Sequence, residues 1–396
     1  MNNLPKECYI GYMFARMDAD GEYNLCCGTI PSSGSYEKDG RFLKYWKSDK
    51  LKKLFHGLKT DLKKYNSMWN GACEYCPHIN TNNLFYDHFN DNKKLLDGHG
   101  MDVYLKEIKS GSMDIGPMTF SFEIINACDH KCNFCWNWSY DMLDNDAQWD
   151  DWKDWAKKKM SFEMFKNTID DLVELGGPAP HLSGDGGCEE IIICGGGEPL
   201  LHPRFMDMVS HIKKNKFYCI ITTNFCRITE DQMDELIFLE ANELIINVSA
   251  GTESIYTDTR RVKKTTWNKL LNNLNYISKR KKEFNSKFPQ IIAKFIMTSS
   301  NVHEIGEMID MAIKEGADTI TLKRFLEDGV YNSENLMITD EQYNKFNVVL
   351  KDKLNQYKFK KFDSFEGKYI FNFNSLDHNV ILRSDEVGLF NKIWKN

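Results

Sequence analysis

The stretch that decides the fold is TFSFEIINACDHKCNFC, residues 119–135, in which an apolar run leads into three closely spaced cysteines. Its first half has the aromatic and β-branched side chains of a buried strand, so we predict a strand there. Cys128, Cys132 and Cys135 follow as one short loop. Three thiolates in such a loop can bind three irons of a four-iron cluster and leave the fourth iron open to a small chelating molecule. Zinc is the alternative metal for this stretch, with His130 nearby as a fourth ligand.

Downstream of this stretch, strands and helices alternate in a regular order. Helical spacing of apolar residues, capping patterns and short buried apolar runs distinguish the two kinds of element. The predicted strands are residues 120–125, 190–194, 217–223, 244–248, 290–297 and 318–322, with helices between them. Six such units in about 205 residues predict an α/β fold, a parallel sheet curved into a partial (β/α)6 TIM-like barrel, because a complete barrel has eight units.

The first 118 residues have a different character. They contain Gly/Asn/Asp turns, little alternation of element type and five cysteines, which are Cys8, Cys26, Cys27, Cys73 and Cys76. Because a reducing cytosol disfavours disulfides, we expect a small domain held by metal rather than by a large core. The predicted parts are therefore a cysteine-rich domain (residues 1–118), the partial barrel (119–325) and a C-terminal extension (326–396). The extension has a predicted helix at 340–357 and strand-like runs at 369–373 and 379–382.

Composition narrows the classes of function. The chain has 396 residues, 42% of them hydrophobic, and a net charge of −6, which is typical of a soluble protein with a sizeable core. The acidic balance disfavours nucleic acid as a partner, since its phosphates attract basic proteins. The apolar runs are too short to span a bilayer, and the N-terminus lacks an apolar signal stretch. We therefore expect a cytoplasmic protein with no membrane partner.

Two of these motifs together resemble the radical S-adenosylmethionine (SAM) enzymes. One is the Cys-x3-Cys-x2-Cys loop with aromatic Phe134 before its last cysteine, and the other is Gly195-Gly-Gly-Glu198-Pro-Leu at the end of the second strand. In that family the Gly-Gly-Glu segment receives the amino group of SAM. The residue chemistry agrees, because glycine lets backbone approach a ligand and a carboxylate suits an ammonium group. The resemblance implies a SAM-binding [4Fe-4S] cluster on the three cysteines and contacts to SAM from Phe134, Gly196, Gly197 and Glu198.

Later strand ends continue the resemblance in chain order. TTN at residues 222–224 ends the third strand, with Phe225 where the family often has glycine, and VSA at 248–250 ends the fourth. DTRR at 258–261 resembles the segment that places an arginine on the SAM carboxylate. By this resemblance Asn224 binds SAM, Ser249 contacts its ribose and Arg261, favoured by spacing over Arg260, binds its carboxylate. Ordinary loop-end hydrogen bonds are the alternative role for each of these polar residues.

The N-terminal cysteines resemble the opening of an auxiliary-cluster domain of the SPASM/twitch type. Cys8 and Cys26 flank a glycine turn, and Cys73-Glu-Tyr-Cys76-Pro follows. Four thiolates would close one auxiliary [4Fe-4S] cluster, with Cys27 as a possible replacement for Cys26. The position departs from the family pattern, in which this module usually follows the radical domain. A zinc knuckle on the same cysteines is the alternative.

The resemblance also implies an activity. A cluster-bound SAM is cleaved to a 5′-deoxyadenosyl radical that takes a hydrogen atom from substrate, and an electron donor such as flavodoxin or ferredoxin supplies the electron. We expect an oxidative modification of a peptide or protein side chain, because an auxiliary cluster could accept the electron left on substrate. The alternatives are dehydrogenation, dehydration or epimerisation of a sugar or other small molecule, and a zinc-binding protein without enzymatic activity. An epimerase would need a hydrogen donor, for which the candidate thiols are Cys188, Cys194, Cys219 and Cys226.

Overall fold

The computed structural model describes residues 4–26, 31–69, 71–76, 79–91, 101–135, 137–139, 152–178, 186–325 and 334–357. Among these residues nine strands form one sheet in the order β3-β2-β1-β4-β5-β6-β7-β8-β9. The strands are β1 (Phe14–Met17), β2 (Glu22–Asn24), β3 (Gly34–Ser35), β4 (Thr119–Glu123), β5 (Glu190–Cys194), β6 (Tyr218–Thr223), β7 (Glu243–Asn247), β8 (Gln290–Met297) and β9 (Thr319–Arg324).

The helices of the described part follow the strands along the chain. They are α1 (Tyr36–Asp39), α2 (Phe42–Trp46), α3 (Asp49–Thr60), α4 (Leu62–Met68), α5 (Ile79–Asp91), α6 (Met101–Ser110), α7 (Trp152–Trp155), α8 (Phe162–Glu174), α9 (Phe205–Lys214), α10 (Glu230–Phe238), α11 (Glu253–Arg260), α12 (Lys264–Glu283), α13 (Ile305–Lys314) and α14 (Asp340–Gln356). The predicted C-terminal helix is thus present as α14, whereas the strand-like runs at 369–373 and 379–382 lie outside the described residues. Within the described ranges, no helix is both long and apolar enough to cross a membrane.

The predicted fold class is confirmed. Strands β4 to β9 are parallel and pair in chain order, and β3 and β9 remain the two edges, so the sheet does not close. Six strand–helix units supply too few strands for a closed eight-stranded barrel. Helices cover one face of the sheet and bury every second side chain of its strands. The strand interiors are therefore rich in isoleucine.

The N-terminal strands belong to the same sheet, which the sequence prediction missed. Strand β1 pairs in parallel with β4, from Phe14 opposite Thr119 to Met17 opposite Phe122, and β2 and β3 continue antiparallel. Many apolar residues of this region are buried in the main core, and Phe42 packs edge-on against Phe120 at 4.8 Å between ring centroids. Residues 4–26 and 31–69 therefore contribute to a large core, which the sequence prediction did not expect, and metal binding in this region stays a prediction. The boundary at residue 118 stays a prediction.

Parallel strands bring the motifs to one end of the sheet, where the strands have their carboxyl ends. The cysteine loop follows β4, the glycine segment follows β5, Asn224 follows β6 and Ser249 follows β7. Because the carboxyl ends of parallel strands lie together at the same end of the sheet, these residues surround one site. Two of the N-terminal cysteines lie towards the opposite end of the strands. Cys8 precedes β1, and Cys26 follows β2, which runs antiparallel to β1.

Candidate functional site

The three-cysteine loop is held in place by its own turns and by the end of α11. Within the loop, the Cys135 amide donates to the Cys132 carbonyl at 3.1 Å. Two further loop amides donate to α11, that of Lys131 to the Arg260 carbonyl at 3.2 Å and that of Asn133 to the Thr259 carbonyl at 2.9 Å. These backbone bonds define the loop conformation without using a thiol, so all three sulfurs remain available as ligands.

The surroundings of the thiols suit an anionic metal cluster. Burial raises the pKa of Cys135 to about 11 and that of Cys128 further above the ordinary value, and the nearby thiols add to both shifts. Iron binding displaces such protons and leaves negative charge on sulfur. Two cations flank the loop: the Arg260 guanidinium donates to Cys132 Sγ at 3.2 Å, and Lys131 Nζ lies 3.3 Å from the Trp138 ring centroid. The donor set and its charge surroundings therefore fit a four-iron cluster.

The glycine segment packs tightly against the chain that leaves β4. The Gly197 amide donates to the Ile125 carbonyl at 3.0 Å, and the Glu198 amide donates to the Ala127 carbonyl at 2.8 Å. A Cβ added at Gly197 would lie only 2.0 Å from the Ala127 carbonyl oxygen, and one at Gly196 would lie 2.8 Å from the Trp155 ring. The glycines are thus required by close protein packing, whereas the sequence argument gave ligand approach as their reason.

Glu198 is a buried connection between two strand ends. Its carboxylate accepts hydrogen bonds from the Thr223 hydroxyl, from the Asn224 amide at 2.7 Å and from the Leu200 amide at 3.1 Å. Burial raises the pKa of Glu198 to about 7, although these donors act in the opposite direction. The residue therefore positions the end of β6 beside the glycine segment, and its contact with the SAM amino group stays a prediction.

Asn224 and Ser249 also make hydrogen bonds within the protein. Asn224 Nδ2 donates to Asp129 Oδ1 in the cysteine loop at 2.9 Å. Ser249 is fully buried in a left-handed conformation, with φ of 56°, and its hydroxyl oxygen accepts from the Ile296 amide at 3.0 Å and from Arg260 at 3.2 Å. Both residues lie at the predicted site, and their contacts to SAM stay predictions.

Arg260, rather than Arg261, lies against the cysteine loop. Its buried guanidinium donates to the Asn247 carbonyl at 2.7 Å and to the Val248 carbonyl at 3.4 Å, in addition to Ser249 and Cys132. Arg261 is exposed and ends α11 with φ of 52°. Helical spacing could have identified Arg260, because it follows the fully buried Tyr256 by one turn on the same face. The assignment of the SAM carboxylate to Arg261 stays a prediction.

Two aromatic residues of the loop complete its surroundings. The predicted Phe134 ring lies 5.0 Å from the Arg260 guanidinium, so it packs on the same cation that contacts Cys132. His130 is buried edge-on against Tyr256, and neither of its ring nitrogens has a hydrogen-bond partner among the residues that the structure describes. Burial lowers the pKa of His130 to about 4, so the imidazole is neutral at pH 7.

The four predicted auxiliary ligands surround a second site. Cys8, Cys26, Cys73 and Cys76 all line one cavity of about 340 Å³. Burial raises the pKa of Cys8 to about 12, with a further contribution from Cys76, and burial raises that of Cys73 to about 11. In the described residues, no three Cys, His, Asp or Glu side chains are arranged to hold a single metal ion. The alternative ligand Cys27 lies outside the described residues.

Comparison with known proteins gives a family for the barrel. The family model described as the radical SAM superfamily matches residues 122–312. A cofactor-modifying protein of the tungsten-containing aldehyde ferredoxin oxidoreductase from Pyrococcus furiosus is 25% identical over 207 residues. That match covers 52% of this chain and 50% of the relative, so the chain spans about half the length of this curated relative.

Two solved structures are similar to this chain at lower identity. Streptococcus suis SuiB bound to its precursor peptide SuiA is 13% identical, with a TM-score of 0.46, over 77% of this chain and 62% of that one. The protein anSMEcpe with bound AdoMet is 17% identical, with a TM-score of 0.45, over 61% of this chain and 58% of that one.

Proposed function

We propose that this chain, a radical SAM enzyme by its family match, uses a second iron–sulfur cluster to oxidise a peptide or protein side chain. Enzymes of this superfamily carry a [4Fe-4S] cluster and bind SAM. When bound, these groups supply hydrogen-atom abstraction from substrate by a carbon radical. The protein's own residues bind and orient these groups and the substrate.

At the first site, we assign the iron ligands to Cys128, Cys132 and Cys135. Arg260 and Lys131 place positive charge beside these thiols, which favours their ionised, metal-binding form. Within the loop the His130 amide donates to Cys128 Sγ at 3.5 Å, a contact that stabilises negative charge on this sulfur. The glycine segment closes the adjoining side of the site.

The observation that carries the proposal is the convergence of four thiols on one cavity. Cys8 lies before β1 and Cys26 just after β2, whereas Cys73 and Cys76 come from the turn after α4, so chain neighbours alone do not explain the grouping. Four thiolates are the complete ligand set of a four-iron cluster. A net oxidation removes a hydrogen atom and then one more electron from substrate, and a second cluster is a suitable acceptor for that electron.

A polar face of the sheet is the proposed substrate site. Successive side chains of a strand point to opposite faces of the sheet, and the helices cover one of these faces. The other face, away from the helices, has the polar residues Arg16, Glu123 and Asn247. Arg16 lies 3.6 Å from Glu123 and 2.9 Å from Asp18, and burial raises the pKa of Glu123 to about 7. Such charged and amide groups suit a substrate with polar backbone or side-chain groups, as a peptide has.

A small-molecule substrate is the second candidate. The relative from Pyrococcus furiosus is named as a cofactor-modifying protein, and its match extends over 207 residues, about half of this chain. This candidate uses the same two sites and differs only in what lies on the polar face.

Metal content tests the two sites separately. Iron, acid-labile sulfide and zinc are measured per chain after anaerobic reconstitution of wild type, the Cys128/Cys132/Cys135→Ala variant and the Cys8/Cys73/Cys76→Ala variant. At about four irons per cluster, we expect roughly eight irons in wild type and roughly four in each variant. Stoichiometric zinc that only the N-terminal variant loses would refute the second cluster while leaving the first intact.

A protease experiment separates the substrate classes. Production of 5′-deoxyadenosine by the reconstituted chain is measured with a low-molecular-mass cell extract, before and after the extract is digested by a broad protease. We expect the extract to stimulate production and the digestion to remove that stimulation. Stimulation that survives digestion would replace the peptide by a small molecule.

A further inference from the structure

A cluster of exposed lysines lies on the helices that contribute to the thiol cavity. Residues 36–68 contain ten lysines and arginines against four acidic residues, a net charge of +6 in a chain whose total is −6. On α3 and α4 and just before them, an exposed set of lysines forms what we name the lysine face, consisting of Lys47, Lys50, Lys52, Lys53, Lys63 and Lys64. Lys50 and Lys53 line the cavity that also contains the four cysteines.

The lysine face is distinguished by where its charges lie. In the part of the chain that the structure describes, Lys50 is the single member of the lysine face with an ion pair, to Asp39 at 3.0 Å. Exposed lysines without an ion pair to a described residue also occur on α12, at Lys269 and Lys282, so exposure and lack of an ion pair do not by themselves indicate a partner. Lys50 and Lys53 in addition line the thiol cavity, which concentrates positive charge beside it. Such charge attracts an anionic partner.

We propose that the lysine face is the docking surface for a small acidic electron-carrier protein of the flavodoxin or ferredoxin class. The inference depends on the proposed second cluster, because the reason for a carrier to dock here is the thiol cavity beneath the face. Redox partners form small, transient interfaces that rely on electrostatic steering. Met68, which is 63% exposed, and Trp69 also line the cavity and provide a small apolar contact beside Lys50 and Lys53.

Binding of a flavodoxin tests the surface directly. The probe is a fluorescently labelled flavodoxin, and its anisotropy is measured against the reconstituted full chain at about 0.01 M and about 0.15 M salt, where the Debye length falls from roughly 30 Å to 8 Å. The variant K53E/K64E reverses two charges of the lysine face. Its matched control, K269E/K282E, reverses two exposed lysines of α12.

At low salt we expect binding at least tenfold weaker in K53E/K64E, and within twofold of wild type in the control. The neutral variant K53A/K64A should have an intermediate effect, and wild-type binding should weaken with salt. Equal effects of the two charge reversals, or none, would overturn the docking surface. Tighter binding of a 30-nucleotide RNA than of flavodoxin would also overturn it, in favour of a nucleic-acid partner.

Iron measured on the same samples separates this inference from the proposed function. If the N-terminal cysteines hold no iron and K53E/K64E still weakens flavodoxin binding, the docking surface stands and the second cluster does not. If all samples hold roughly eight irons and the charge reversal has no effect, the cluster stands and the docking surface does not.

Discussion

Substitution of Arg260 by methionine should destabilise the fold far more than the same change at its neighbour Arg261. Arg260 donates from all three of its guanidinium nitrogens, and R260M leaves the buried carbonyl oxygens of Asn247 and Val248 without these donors. Each buried group left unpaired costs about 1–3 kcal/mol, so the loss should be about 4 kcal/mol. Arg261 is exposed, and changes at exposed positions are usually within about 0.5 kcal/mol.

Equilibrium urea unfolding of the reconstituted chains measures this difference. With an m value of about 3 kcal/mol per M, a loss of about 4 kcal/mol lowers the midpoint by roughly 1 M. R260K keeps the charge but loses the planar fork, so we expect about half of that loss. A midpoint for R260M equal to that of wild type, or an equal loss in R261M, would refute the reasoning.

The same variants test how Arg260 affects the cluster. Hydrogen bonds to cluster sulfurs help to set the reduction potential, and Arg260 donates one to Cys132. Loss of this positively charged donor should make the cluster harder to reduce, which an EPR-monitored redox titration would show as a lower potential in R260M. R261M should leave the potential unchanged. If Arg261 binds the SAM carboxylate, as the sequence resemblance implies, R261M should instead weaken SAM binding in equilibrium dialysis.

Three further predictions concern residues next to this site. G197A should lose iron from the first cluster, because an added Cβ meets backbone at 2.0 Å. The control G306A should bind iron as wild type does, because its added Cβ meets only side chains. Iron analysis of the two variants tests this difference. Burial raises the pKa of Glu198 to about 7 in the fold, against an ordinary 4.5, so the folded chain keeps this proton at pH values where the unfolded chain has lost it. The resulting stability is complete below pH 4.5, and roughly 3 kcal/mol of it is lost as the pH rises to 7. Urea midpoints at pH 5 and pH 8 should therefore differ less in E198Q than in wild type, and an equal difference would contradict this assignment. If the reaction is redox-neutral and a thiol returns the hydrogen atom, C194A should abolish turnover and C219A should not. The reason is that Cys194 is partly exposed and Cys219 is fully buried. Product analysis by mass spectrometry compares the two variants.

The sequence predicted the barrel well because its strands have strong local patterns. Buried parallel strands appear as short isoleucine-rich runs, and each of the six predicted runs overlaps a strand of the structure. The cap of α10 was also predictable, since Thr229 and Gln232 form the capping box that their spacing indicates. These features depend on residues close together in the chain, which is the information that a single sequence contains.

The N-terminal strands were missed because their partners are distant in sequence. Strand β1 is four residues long and pairs with β4 about a hundred positions later, and β3 has only two residues. Strands this short lack enough alternation to be recognised, and their stability comes from neighbours that pattern analysis does not contain. The contact of Arg260 with the cysteine loop was not part of the sequence prediction either, because it depends on how α11 packs against a loop more than a hundred positions earlier.

The two sets of thiols restrict where a substrate can be oxidised. They lie at opposite ends of the strands. Strands β1 and β4 pair over four residues, and at 3.3 Å per residue this is about 13 Å of strand. In the proposed reaction, the polar face near Arg16 and Glu123 is where we expect a substrate to lie between the two sites. Reversal of the Glu123 charge by E123K should impair substrate-dependent 5′-deoxyadenosine production while leaving both metal sites filled. Loss of iron in E123K would show instead that Glu123 supports the first site rather than the substrate.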